Sequence, residues 1–158
     1  MPLRNPADLA ERLPAKGALM GLDLGTRTIG IAITDPERML ASPRETIRRT
    51  KLKADLAHLF RLIEDEAIAA VVIGLPLNMD GSEGPRCQAT RQFATDLLKA
   101  RDIDLVLWDE RLSTVAVTRT MLEADLSRER RAEVVDKMAA AYILQGFLDG
   151  LAGQRRNP

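Results

Sequence analysis

Two short apolar runs, 18–24 and 29–34, flank Gly25-Thr26-Arg27-Thr28, a spacing that predicts two strands joined as an antiparallel hairpin. A third strand is expected over 40–47. Pro43 lies inside it, and proline cannot donate to a ladder, so that strand belongs at a sheet edge. From 51 to 67 the period changes: Leu52, Leu56, Leu59, Ile63 and Ala67 share one helical stripe, with His58 off it and expected at the surface. A β-branched run at 70–75 reads as a buried parallel strand, followed by a loop at 77–84, a helix at 85–100 and a strand at 103–108. Ser113 is placed to cap a helix running to about Glu123, and 132–148 predicts the last helix. Asn5 followed by Pro6 predicts a short helix over 6–13. Three antiparallel strands, then helix, strand, helix, strand, helix, specify an α/β fold in which a mixed sheet is covered on both faces.

Length and composition narrow this to one unit. With 158 residues, 46% of them hydrophobic, the chain suits a single domain, expected over 18–149, after an N-terminal extension (1–17) and before a polar, flexible tail (150–158). The 23 basic and 23 acidic residues cancel, so any polyanion must be held by local patches, such as Arg44, Arg48, Arg49, Lys51 and Lys53. The 3% aromatic content gives little sign of broad single-strand stacking. The single cysteine, Cys87, excludes an intrachain disulfide and fits a reducing compartment. Pro2, Pro6 and Pro14 interrupt the stretch where a secretion signal would be apolar, and the run 67–77 is about half of a membrane span. A soluble, cytoplasmic protein is expected.

Three carboxylates fall where stability alone would not put them. Asp23 sits inside the first apolar strand, where a bare carboxylate costs several kcal/mol or more unless solvated, paired or metal-bound. Glu110 follows the strand 103–108 at its carboxyl end, the end where α/β sheets open a crevice; its neighbour Asp109 alternates to the opposite face. Asp136 has Ala139, Ala140, Ile143 and Phe147 at helical spacing, which puts it on the stripe facing the core beside residues small enough for close approach. Singly each acid has an ordinary reading: a turn contact, a pair with Arg111, a helix-dipole partner. Together they converge only if a cation gathers them, and an all-oxygen set suits Mg²⁺ or Mn²⁺, one or two ions, and phosphodiester chemistry.

Four segments carry a resemblance: Gly21-Leu22-Asp23-Leu24-Gly25-Thr26-Arg27-Thr28-Ile29-Gly30, the run 72–83 from Val72 to Glu83, Asp109-Glu110-Arg111-Leu112-Ser113-Thr114, and the run 136–144 from Asp136 to Leu144. In this order and spacing the chain resembles the YqgF/RuvX family of pre-16S rRNA nucleases, over roughly residues 19–148. The resemblance implies an RNase H-like, RuvC-resolvase-like fold with a five-stranded sheet ordered 3-2-1-4-5, strand 2 antiparallel. It implies that Asp23, Glu110 and Asp136 are the catalytic, metal-binding acids and that the substrate is the 5′ end of pre-16S rRNA, with a role in ribosome biogenesis and pre-ribosomal association. Thr26, Arg27, Asn78, Arg111, Ser113, Thr114 and Lys137 are candidate contacts to nucleic acid.

Rival readings separate on simple features. Actin-like ATPases share a glycine turn after Asp but need two domains, and no Gly-x-x-x-x-Gly-Lys-Ser/Thr sequence occurs. A non-catalytic RNA- or transcription-associated module would be favoured by a missing acid, and all three are present. A DNA-junction resolvase is the runner-up within the nucleases; a stable homodimer would favour it and a monomer would favour rRNA trimming.

Overall fold

The computed structural model describes residues 3–112 and 128–156. The chain runs β1 (Leu3–Arg4), α1 (Pro6–Arg12), β2 (Ala18–Leu24), β3 (Thr28–Thr34), β4 (Ala41–Arg48), α2 (Leu52–Asp65), β5 (Ile68–Leu75), α3 (Pro85–Ala100), β6 (Asp104–Asp109), a 3₁₀ turn (Glu110–Leu112) and α4 (Arg128–Arg156). The strands form one mixed sheet in the order β1-β6-β5-β2-β3-β4. β2, β3 and β4 are an antiparallel meander, while β5 runs parallel to β2 and β6 parallel to β5. β4 is at the edge, and its register shifts between Ile31 and Ala32, opposite Glu45 and Pro43, so proline and bulge occur together where the ladder is least demanding.

The expected five-strand order is present as β4-β3-β2-β5-β6, but the sheet has a sixth strand. Leu3 and Arg4 pair parallel with Leu105 and Val106, and the Arg4 Nε donates to Asp104 Oδ1 at 3.1 Å. Two residues carry no periodicity, so only pairing with β6 reveals that strand. Behind it, Asn5 accepts from the Asp8 N–H at 2.8 Å and starts α1, which buries Leu9 completely. The last helix extends past both ends of 132–148. Leu151 follows Phe147 on the buried stripe, and Gly150 packs against the Trp108 ring, where a Cβ would stand 3.0 Å from Cη2. That glycine serves contact rather than termination. His58 is half-buried and 3.2 Å from Glu45 Oε1, a surface pairing.

Strand alternation assigns the two faces. Met20, Leu22, Ile29, Ile31, Val71, Ile73 and Leu105 meet Leu56, Leu59 and Ile63 of α2 and Phe93 and Leu97 of α3. Leu19, Ala32, Ala70, Val72 and Val106 meet Ala139, Ala140, Ile143, Leu144 and Phe147 of α4. Among the described residues no helix is long and apolar enough to cross a membrane.

Candidate active site

β2 alternates so that Leu19, Gly21 and Asp23 share the α4 face, and Asp23 is only 2% exposed. Its partner across the hairpin is Gly30, and on its other side the register Leu22–Ile73 continues to Gly74. Both neighbours therefore lack side chains. A Cβ on Gly30 would lie 2.0 Å from the Asp136 carbonyl oxygen, so α4 rests on β3 backbone at that point. A Cβ on Gly74 would lie 2.5 Å from Ile143 Cδ1 and 2.8 Å from Glu110 Oε1, so the Ile143 and Glu110 side chains share that place. Gly21, about two turns further along α4, meets Leu144 Cβ at 2.8 Å by the same measure. Asp23 is thus flanked by two bare positions, one covered by the backbone of Asp136 and the other by the side chains of Ile143 and Glu110.

Each flanking acid is held. The Asp136 Oδ2 accepts a hydrogen bond from the Thr28 hydroxyl at the start of β3, and the Gly25 N–H bonds the Thr28 carbonyl at 2.9 Å to close the turn. Glu110 opens the 3₁₀ turn after β6. Beside it, Asp109 accepts the Arg111 backbone N–H at 2.9 Å and the Arg111 Nη2 at 2.7 Å. That guanidinium holds the Asp109 carboxyl below its ordinary value of 3.8, and the pairing raises Arg111 in turn. Asp109 is therefore a brace, as its opposite orientation predicts.

Arg111 reaches further, its Nη1 donating to the Met79 carbonyl at 3.2 Å, and Gly81 leaves room for the guanidinium. It ties the loop after β5 to the end of β6. Asn78 stiffens the same loop: its N–H bonds the Ser82 carbonyl at 2.9 Å and its Nδ2 the Ser82 hydroxyl at 3.0 Å. Ser82 in turn donates twice to Asp80, whose carboxyl those bonds lower. Asn78 and Arg111 are consequently committed to loop architecture, with exposed edges at the site's rim. Thr26 and Arg27 are exposed at the tip of the β2–β3 turn, and Lys137 is half-buried where α4 crosses Gly30. Ser113, Thr114 and the helix expected from Ser113 lie outside the described residues.

Two residues absent from the sequence-based reading, Thr28 and Arg86, belong to this neighbourhood, together with Arg49 of the basic run. Thr28 holds Asp136; Arg49 donates to the Gly25 carbonyl at 2.8 Å; Arg86 approaches the Leu24 carbonyl at 3.5 Å. Thr28 was legible only as the last residue of a turn. Within the basic run, Arg44 is neutralised by Glu66 at 2.8 Å, which removes it from a shared cationic surface. Among the described residues no three His, Cys, Asp or Glu side chains stand close enough together to hold one ion as placed. The donor set is nonetheless all carboxylate oxygen, which suits a hard cation.

A family profile described as "RuvX: Holliday junction resolvase" matches residues 17–150. Relatives carry the name "Putative pre-16S rRNA nuclease". The protein of Paramagnetospirillum magneticum is 56% identical over 97% of this chain and 99% of its own. That of Rhodobacter capsulatus is 59% identical over 92% of this chain and 91% of its own. Among solved structures, Thermus thermophilus RuvC in complex with a Holliday junction superposes with a TM-score of 0.53 at 9% identity, over 88% of this chain and 96% of that one. The yeast mitochondrial Holliday junction resolvase gives 0.53 at 13% identity, over 96% and 88%. These two likenesses establish an RNase H-like, RuvC-type fold.

Proposed function

The chain belongs to the RuvX family, and from that premise we propose that it is a nuclease whose substrate is the 5′ end of pre-16S rRNA, with Asp23, Glu110 and Asp136 as its catalytic and metal-binding acids. The observation that carries the site assignment is the buried Asp23 between Gly30 and Gly74, with Asp136 and Glu110 over those two glycines. Close packing of α4 explains the two glycines, but it does not explain a carboxylate between them, because burying Asp23 there is costly unless something pairs with it. The substrate assignment is supported by the name that the relatives carry.

The three acids would hold Mg²⁺ or Mn²⁺, which when bound supplies an activated water and charge stabilisation for phosphodiester hydrolysis. The chain's own contribution is placement. Thr28 fixes the Asp136 carboxylate through its hydroxyl, and the backbone contact at Gly30 fixes the height of α4 above the sheet. Glu110 is delivered over Gly74 by the 3₁₀ turn, with the Asp109–Arg111 pair locking the turn's start. Thr26 and Arg27 project into solvent at the end of β2, and Lys137 flanks Asp136; all three are placed to meet backbone phosphates. Ser113 and Thr114 follow Glu110 in sequence and are assigned the same role. The compartment is the cytoplasm, where precursor rRNA is made and where one buried, reduced cysteine is at home.

A DNA-junction activity is the second reading, favoured by the description attached to the family profile. The experiment is direct: an RNA bearing a 16S 5′ extension and a four-way DNA junction are incubated side by side with Mg²⁺, Mn²⁺ or excess EDTA. Metal-dependent cleavage of the RNA alone is expected. Junction cleavage by a stable dimer would transfer the assignment to resolution, and full activity in EDTA would contradict the metal-binding role.

A further inference from the structure

We infer that Arg49 and Arg86 form a seat for a phosphate of the bound nucleic acid on the α3 side of the Gly25 turn, adjacent to the phosphate that meets Asp23. This assignment rests on the nuclease reading above. A small cavity of about 80 Å³ opens where β2 ends, lined by Gly25, Thr26, Arg49, Arg86 and Thr90 among others. It has room for a few waters, which suits one phosphate group.

Both guanidinium groups are held there from different elements. Arg49, the residue after β4, donates its backbone N–H to the Arg27 carbonyl and its Nη1 to the Gly25 carbonyl, each at 2.8 Å, while its guanidinium lies 5.6 Å from the centre of the Phe93 ring. Arg86, in the first turn of α3, reaches the Leu24 carbonyl at 3.5 Å, and the buried Thr90 hydroxyl braces the Arg86 carbonyl at 2.9 Å. The Arg49 bond to the Gly25 carbonyl and the Arg86 bond to the Leu24 carbonyl each use one of the five N–H donors a guanidinium carries. Among the described residues no carboxylate forms a salt bridge with either group, whereas Arg91 and Arg111 at the same end of the molecule are bound to Glu83 and Asp109 at 2.6 and 2.7 Å. Two cations around one cavity, with no carboxylate partner among the described residues, repel each other unless an anion joins them. Guanidinium forks match a phosphate in geometry as well as charge.

The position relative to Asp23 gives the seat a purpose. Gly25 is two residues beyond Asp23, about 7 Å along an extended chain. Asp23 faces α4 and the seat faces α3, so a strand draped over the carboxyl end of β2 meets both. Phosphate contacts of this kind carry no sequence information and set register. Arg49 and Arg86 are positioning residues that fix which bond lies over the acids.

The test measures binding of a fluorescent RNA with the 5′ extension, in EDTA so that nothing is cut, across a salt series. Arg86→Gln is the leading variant because Arg86 is exposed and its substitution leaves the turn's bonds to Arg49 intact. It is expected to weaken binding roughly three- to tenfold and to flatten the slope of log K against log salt by about 0.7 to 1. Arg86→Lys should restore most of that slope. The double variant Arg49→Gln/Arg86→Gln, checked for folding by thermal denaturation, should lose more. Unchanged affinity and slope in Arg86→Gln, with normal binding by the unaltered chain, overturns the seat and leaves the nuclease reading intact. Absence of RNA binding by the unaltered chain overturns both.

Discussion

On one face of the sheet, Met20, Leu22, Ile29, Ile31 and Ile73 reach α2 and α3 through long side chains; on the other, Gly21, Gly30 and Gly74 let α4 and Glu110 come down onto backbone. The strands are the same, and alternate residues of each serve opposite ends. The first face maximises buried aliphatic surface, at about 25 cal/mol per Å². The second gives up strand side chains at three positions and lets α4 approach closely, with Leu144 over Gly21, Ile143 and Glu110 over Gly74 and Asp136 over Gly30, so that two acids come down beside Asp23. The difference locates chemistry by what packing leaves undone: a stable sheet has no use for Asp23 between two glycines, and a site does.

Substitutions that exchange the rules of the two faces should produce the largest effects. Gly30→Ala puts a methyl group where the Asp136 carbonyl oxygen lies, at 2.0 Å, and backbone cannot yield as a side-chain tip can. Expected are a stability loss of about 3 kcal/mol or more and loss of cleavage in whatever folds, read by denaturant melts and a nuclease assay. A normal melt and normal rate would show that α4 does not rest on β3. On the opposite face, Leu59→Ala, at a fully buried position, should cost about 2–5 kcal/mol. Its rate per folded molecule should stay within about twofold of the parent, since no step of the chemistry is assigned to that face.

Smaller changes sharpen the contrast. Thr28→Val removes the hydroxyl that holds Asp136 while keeping the strand's shape. The expected loss is about tenfold in cleavage rate against about 1 kcal/mol in stability, a ratio opposite to that of Leu59→Ala. Smallest is Asp109→Asn, which releases Arg111 from its brace. Because Arg111 lowers the folded carboxyl below its ordinary 3.8, the pair's contribution is present above that pH and disappears as the pH falls through the folded value. The melting difference between parent and Asp109→Asn should therefore be modest at neutral pH, under about 1 kcal/mol, and vanish in acid. A difference that grows in acid would reverse the sign of this linkage.

Much of the scaffold was legible in the sequence because it follows strong periods. The β2–β3 hairpin, the edge position of the Pro43 strand, the α2 stripe and the buried β5 all rest on local pattern and proline chemistry. Leu3–Arg4 was not legible, being too short to carry a period, nor was the full length of α4, where Gly150, expected to open the polar tail, is helical and packs against Trp108. The three acids stood out as charges in apolar settings, and the structure puts Asp136 and Glu110 on the two strand positions that flank Asp23. What makes those positions available is the pair Gly30 and Gly74, and their importance is a matter of cross-strand register, which no local pattern reveals. Thr28 and Arg86 were hidden for the same reason, since their partners are distant in the chain; Arg49 was legible as part of the basic run, but its pairing with Arg86 was not.

Asp23→Asn decides the central claim, since it removes the charge and keeps the shape. Its melting temperature and its metal-dependent cleavage of the 5′-extended RNA are to be measured on one preparation. A site built at the expense of packing predicts cleavage reduced by a thousandfold or more, about 4 kcal/mol in barrier, with a melting temperature equal to or above the parent's. Retained cleavage, or a loss that follows the melt, would mean that Asp23 supports the fold and not the reaction.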